Sequence, residues 1–226
     1  MAQSTPIRDP KNDSLLTPQN SVFAFIDYQP EQFHGLHSGS KEQMMLNIVA
    51  LGKIAKAFAV PTVLTTVGVQ MGVNAATTPE LKAELGDIEE IDRTTLNSWE
   101  DADFHSAIKA TGRKKIIIAG LWTEVCVAYP TLDAIKEGYE VYVVVDAIGG
   151  VTKTSHDSAM ERMIQAGAKP ITALALACEL QRDWSRGHGD TLRKIVQWYF
   201  REYRNLESEI PLRNTGHSPE ANAHLS

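Results

Sequence analysis

The stretch Arg113-Lys114-Lys115-Ile116-Ile117-Ile118-Ala119-Gly120-Leu121-Trp122-Thr123-Glu124-Val125-Cys126-Val127 constrains this chain more than any other. Ile116 to Ala119 is short, apolar and β-branched, with a basic cluster before it and Gly120 after it. Such a run reads as a central parallel strand, buried on both faces. Thr123 suits the N-cap of a following helix, which puts Cys126 in the first turn. There, free N–H groups and the positive end of the helix dipole favour a thiolate and offer a place for an oxyanion. Pro130 has no N–H to return to the Cys126 carbonyl, so the turn should be distorted or the regular helix delayed. A free cysteine is equally at home as a packing residue, and this stretch alone leaves both readings open. Cys178, in the apolar run Leu174 to Leu180, reads as a core cysteine.

Apolar runs alternate with amphipathic ones along the chain. Ser21 to Asp27, Pro61 to Val67, Ile88 to Ile91, Ile116 to Ala119, Tyr139 to Asp146 and Pro170 to Ala173 read as strands. Helical patterns lie between them at Lys41 to Phe58, Pro79 to Leu85, Trp99 to Thr111, the Cys126 segment and Thr152 to Ala166. Gly52, beside the stripe of the first, suggests close approach to a strand. The alternation predicts an α/β fold: a three-layer, Rossmann-like, six-stranded parallel sheet with helices on both faces. In the common order 3-2-1-4-5-6, a crevice opens between the carboxyl ends of the first and fourth strands, so Asp27 and Cys126 face each other. Arg93 leaves the third strand on the same side and is placed to tie down Asp27 or a substrate anion. Taken singly, Asp27 also fits a loop cap and Arg93 a solvated surface charge. No G-x-G-x-x-G follows the first strand, which disfavours a dinucleotide site.

At 226 residues the chain reads as one large domain, residues 20–189, preceded by an arm over 1–19 and followed by a helical extension and tail over 190–226. With 28 acidic against 22 basic residues and a net charge of -6, and no basic block, neither nucleic acid nor a membrane surface is an expected partner, whereas a small-molecule substrate is. Two cysteines, a polar N-terminus and no long apolar run point to a cytoplasmic protein. The loops 28–40, 68–78 and 147–152 should line the pocket. His34 and His37, lacking a paired acid, read as surface residues rather than metal ligands. In the extension, Leu192, Ile195, Val196, Tyr199, Phe200, Tyr203 and Leu206 form one stripe, while Trp198 stands apart from it and is expected to meet a neighbouring subunit. Residues 213–226 read as a disordered tail.

Asp27-Tyr28-Gln29 after one strand, Gly120-x-x-Thr123-x-x-Cys126-Val127 after another, Asn97-Ser98-Trp99-Glu100-Asp101 and Ala177-Cys178-Glu179-Leu180-Gln181-Arg182-Asp183-Trp184 together resemble the isochorismatase-like cysteine hydrolases, in particular their YcaC-type branch. The resemblance spans roughly residues 15 to 206 and implies a triad of Asp, Lys and Cys. Asp27 and Cys126 match it. Arg93 stands at the lysine position, where a planar, permanently charged group orders charge but does not shuttle protons. The resemblance further implies a non-proline cis peptide, expected near Val125, and an oxyanion held in the Leu121, Trp122, Val125 and Cys126 turn. Gln29, Phe33, Trp99 and Thr123 are the implied substrate-binding residues. Residues 66 to 78 lack the histidine of the nicotinamidase metal cluster, so no metal and no cofactor are expected. The implied protein is a homo-oligomer, octameric by analogy. It hydrolyses a small amide-like C–N or C–O substrate through a thioester at Cys126. The alternatives are a redox-sensitive thiol protein without turnover and a small-molecule-binding protein on the same fold.

Overall fold

The computed structural model describes residues 5–209. Its six strands are β1 (Ser21–Ile26), β2 (Thr62–Val67), β3 (Glu90–Arg93), β4 (Lys115–Gly120), β5 (Glu140–Val144) and β6 (Lys169–Ile171). They pair in parallel in the expected order, β3-β2-β1-β4-β5-β6. β1 and β4 are central and buried along their whole length, which is why both read as unbroken apolar runs. Their side chains alternate between two cores. Phe23, Phe25, Ile117 and Ala119 face one layer, and Val22, Ala24, Ile26, Ile116 and Ile118 face the other.

The helices are α1 (Pro30–His34), α2 (Lys41–Ala57), α3 (Pro79–Leu85), α4 (Ala102–Ala110), α5 (Ala128–Lys136), α6 (Lys153–Gln165), α7 (Ala173–Gln181) and α8 (Gly189–Glu209). Helices α2, α3, α7 and α8 cover the first core, and α4, α5 and α6 the second. Local chemistry sets their starts: the side chain of Ser40 accepts from Gln43 N–H, that of Thr152 from Ser155 N–H, and that of Asp101 from the N–H groups of Asp103 and Phe104. The stripe Met44, Ile48, Leu51 and Ala55 of α2 is buried as its spacing requires. Gly52 admits a helix rather than a strand, since a Cβ there would lie 2.8 Å from Glu84 Cβ on α3.

Several expectations are corrected. Within the loop from Tyr28 to Ser40, Pro30 at the first helical position starts α1. Trp99 lies in a separate 3-10 turn, Ser98–Glu100, because Asp101 caps α4 independently. Cys178 is exposed, since α7 turns Leu176, Ala177 and Leu180 inward and leaves Cys178 on its outer side. The arm is fastened to α7: Leu16 is buried, its N–H donates to Glu179 Oε1 at 2.7 Å, and Asp13 pairs with Arg182. On α8, Leu192 and Ile195 are buried, and Trp198 is half-buried with the Lys53 ammonium 4.7 Å from its ring. The large apolar side chain that α8 turns outward is Phe200, 47% exposed. The tail expected over 213–226 lies outside the described residues. Among the described residues no helix is long and apolar enough to cross a membrane.

Candidate active site

The carboxyl ends of β1 and β4 approach so closely that a Cβ on Gly120 would sit 2.5 Å from the Ile26 carbonyl oxygen. Glycine is therefore required there, and the approach brings the residue after β1 beside the turn after β4. That residue, Asp27, leaves the strand with φ 55°, a left-handed conformation that aspartate tolerates better than most residues. Arg93, at the end of β3, reaches past the end of β2 to meet it. Its Nη2 donates to Asp27 Oδ2 at 2.5 Å, its Nη1 donates to the Thr95 carbonyl, and both side chains are 0% exposed. Asp27 Oδ1 and Arg93 Nε are buried without a hydrogen-bond partner.

Cys126 sits in a π turn, Thr123–Val127, ahead of α5. Val127 N–H donates to the Trp122 carbonyl and Ala128 N–H to that of Thr123, both five residues back, so the distortion expected from Pro130 takes the form of a widened turn. The cis peptide joins Leu121 to Trp122. It precedes the turn instead of lying near Val125, because the segment from Thr123 onward is already helical. Thr123 does not cap the turn. Its N–H donates to the Gly149 carbonyl at 2.9 Å, and its hydroxyl is 2.8 Å from His156 Nδ1.

The electrostatics follow from burial. Cys126 is 6% exposed, and desolvation first, then the Asp27 carboxylate, pushes its thiol up to about 12, against the lowering influence of Arg93 and the Trp122 N–H. Removal from water therefore works against the resting thiolate expected of a helix start. Desolvation likewise raises Asp27 to about 6, opposed by Arg93 and by the Cys126 contact. The carboxylate thus raises the thiol's affinity for a proton and the thiol lowers the carboxylate's, and Arg93, paired to the carboxylate, acts on both.

The structure brings Asp27, Arg93 and Cys126 together, with Leu121, Trp122 and Val125 framing the turn. It does not bring the other four candidates to the same task. Gln29 is buried and fully engaged: its Nε2 donates to the carbonyls of Val67 and Ala75, and its Oε1 accepts from Val67 N–H. It clamps loop 68–78 to the end of β2. Phe33 stacks on Tyr28 with ring centroids 6.3 Å apart, inside the first core. Trp99 donates its indole N–H to Glu137 Oε1 at 2.8 Å, at the far end of α5 from Cys126. Thr123 is committed to Gly149 and His156. Of the N–H groups in the turn expected to hold an oxyanion, that of Val125 already donates to the Trp122 carbonyl at 3.1 Å. His156 was not singled out from the sequence, and nothing near it in the chain would have done so. Among the described residues, no group of three His, Cys, Asp or Glu side chains is arranged to hold a metal ion.

A parallel sheet ordered 3-2-1-4-5-6 thus carries a buried Cys, Asp and Arg at adjoining strand ends, and comparison with known proteins gives the family. The family model for the isochorismatase domain matches residues 21–174. The chain belongs to the isochorismatase family. It is 41% identical over 205 residues to the probable hydrolase YcaC of Escherichia coli K12, covering 88% of this chain and 92% of that one. The crystal structure of the Escherichia coli YcaC product, described as an octameric hydrolase of unknown specificity, aligns with TM-score 0.79 and 40% identity over 88% of this chain and 97% of its own. YcaC from Pseudomonas aeruginosa, solved with hexane-2,5-diol and covalent acrylamide, aligns with TM-score 0.80 and 37% identity over 86% and 96%.

Proposed function

We propose that this isochorismatase-family hydrolase cleaves a small amide-like C–N or related C–O bond through a thioester on Cys126. The observation that carries the reading is the placement of a buried Cys126 in the turn after β4, at the adjoining end of β1 where the buried Asp27 carboxylate is itself paired to Arg93. The thiol is neutral at rest, so the proton moves only as attack proceeds. Asp27 takes it while the sulfur forms a bond to the substrate carbonyl carbon, and Cys126 N–H meets the developing oxyanion. Asp27 then gives the proton to the leaving nitrogen as the C–N bond breaks. Water, deprotonated by Asp27, attacks the thioester carbon, and the departing sulfur recovers the proton. Arg93 holds the carboxylate in place and takes no proton.

The burial of Cys126 argues against the redox-sensor alternative, whose reactivity would require an accessible thiolate. By analogy with the octameric Escherichia coli relative, the working form is a closed homo-oligomer, and light scattering should report several times the 24.9 kDa of one chain. The catalytic reading is tested by rapid quenching with a panel of small primary amides followed by intact mass measurement. An acyl adduct on the wild type that is absent from Cys126→Ala is expected. Turnover that survives Cys126→Ala would refute it.

A further inference from the structure

The charges around Cys126 restrict what can be bound there. Among the described residues Arg93 is the cation that acts on Cys126, and its charge is already paired: Nη2 donates to Asp27 and Nη1 to the Thr95 carbonyl, while Nε is buried without a partner. The next charges are acidic. Asp92 adjoins Arg93 on β3 and is held by the N–H groups of Val69 and Gln70. Glu124 lies in the π turn itself, with Oε1 accepting from Val151 N–H and Oε2 buried without a partner. From α6, His156 faces the turn through Thr123, and burial keeps it below its ordinary range, so it adds no positive charge at neutral pH. Lys153, at the start of α6, is paired with Asp157 on the surface. An entering anion would lose its hydration and, among these described residues, meet no cation without a counter-charge and two further carboxylates, Asp92 and Glu124. A neutral group meets no such penalty, and with Cys126 6% exposed it must also be small.

We infer that the site takes substrates whose reacting end is small and uncharged, such as a primary amide, and rejects carboxylates of the same size. This rests on the proposed role of Cys126 and goes beyond it by naming the charge class of the substrate.

Iodoacetamide and iodoacetate test it, since they share size, leaving group and reaction: sulfur bonds to the CH2 carbon, the C–I bond breaks, iodide departs, and the thiol proton passes to solvent. Peptide mapping of the full-length protein follows Cys126 and the exposed Cys178 in one sample, and Cys178 serves as the internal reference. The ratio of amide to acid rates at Cys126 should exceed that at Cys178 by on the order of tenfold or more. In Asp27→Asn, where Arg93 loses its counter-charge, that excess should shrink. An equal or lower ratio at Cys126 in the wild type overturns the inference whether or not the variant folds, and so does failure of both reagents to reach Cys126. If the ratio holds but no amide is turned over, the charge preference stands and the catalytic reading falls. If amides form the acyl adduct but the ratio collapses, the catalytic reading stands and the inference falls.

Discussion

Arg93 Nη2 lies 2.5 Å from Asp27 Oδ2, with both side chains wholly excluded from solvent. The two residues stand at the ends of β3 and β1, with β2 between them, so the pair bridges the strand that separates them. A buried pair of this kind is strongly destabilising to break, because removing one partner leaves the other charged and unpaired. It also occupies Oδ2 and leaves Oδ1 without a hydrogen-bond partner.

Arg93→Met should accordingly lose roughly 3–5 kcal/mol of stability, the usual cost of orphaning a buried charge. Arg93→Lys should lose less, since an ammonium keeps the charge but cannot serve Asp27 and the Thr95 carbonyl with a rigid fork. Urea denaturation at neutral pH measures both. An Arg93→Met protein as stable as the wild type would show that Asp27 is protonated in the folded state.

The pH dependence of Asp27 has a definite sign. Its folded-state pKa is raised, to about 6 from 3.8, so the folded protein binds this proton more tightly than the unfolded chain. The contribution is fully present below 3.8 and is lost as pH rises through about 6. The stability of wild type relative to Asp27→Asn should therefore fall between those limits, by at most about 3 kcal/mol. Activity should run the other way, rising as Asp27 ionises, because the base must be deprotonated to act. Urea melts and rate profiles across this range check the two signs separately. A stability difference that grows with pH would mean that Arg93 outweighs desolvation.

Trp122 is held from one side by a hydrogen bond from Nε1 to the Gln32 carbonyl at 2.8 Å, and a Cβ on Gly35 would come within 2.6 Å of its ring. Gly35→Ala should push the indole away and disturb the peptide whose N–H faces the Cys126 sulfur. Overpacking of this kind costs roughly 1–3 kcal/mol, and the loss in kcat should be larger than that stability change alone explains. Gly39→Ala, where an added Cβ meets nothing within 4 Å, is the control. Equal activity in the two variants would remove Trp122 from the site.

The parts of the site that could be read from the sequence are those carried by strand ends. Asp27, Arg93 and the turn bearing Cys126 each follow an apolar run, and strand order then fixes which ends adjoin. Pro130 announced the irregular turn because a missing N–H is a local fact. What could not be read depends on partners far away in the chain. Gln29 looks like a polar loop residue until Val67 and Ala75 occupy its amide. Trp99 looks like a pocket aromatic until Glu137 takes its indole N–H. The thiolate expected at Cys126 meets opposition of the same kind: the helix start is local and visible, whereas the desolvation that works against it is assembled by several elements.

The two cysteines give the most direct check on that opposition. A bare helix start predicts that Cys126 reacts first, whereas the folded structure buries its thiol, raises it to about 12 and leaves Cys178 exposed on the outer side of α7. Reaction with a bulky maleimide requires both a thiolate and access. At neutral pH Cys178 should therefore be modified faster than Cys126 by on the order of tenfold or more. In denaturant the gap should close, because the difference is made by the fold and not by the neighbouring sequence. Time-resolved peptide mapping in buffer and in urea measures both limbs. Preferential labelling of Cys126 in the native protein would show that the turn's N–H groups and Arg93 prevail over burial, and would restore the resting thiolate.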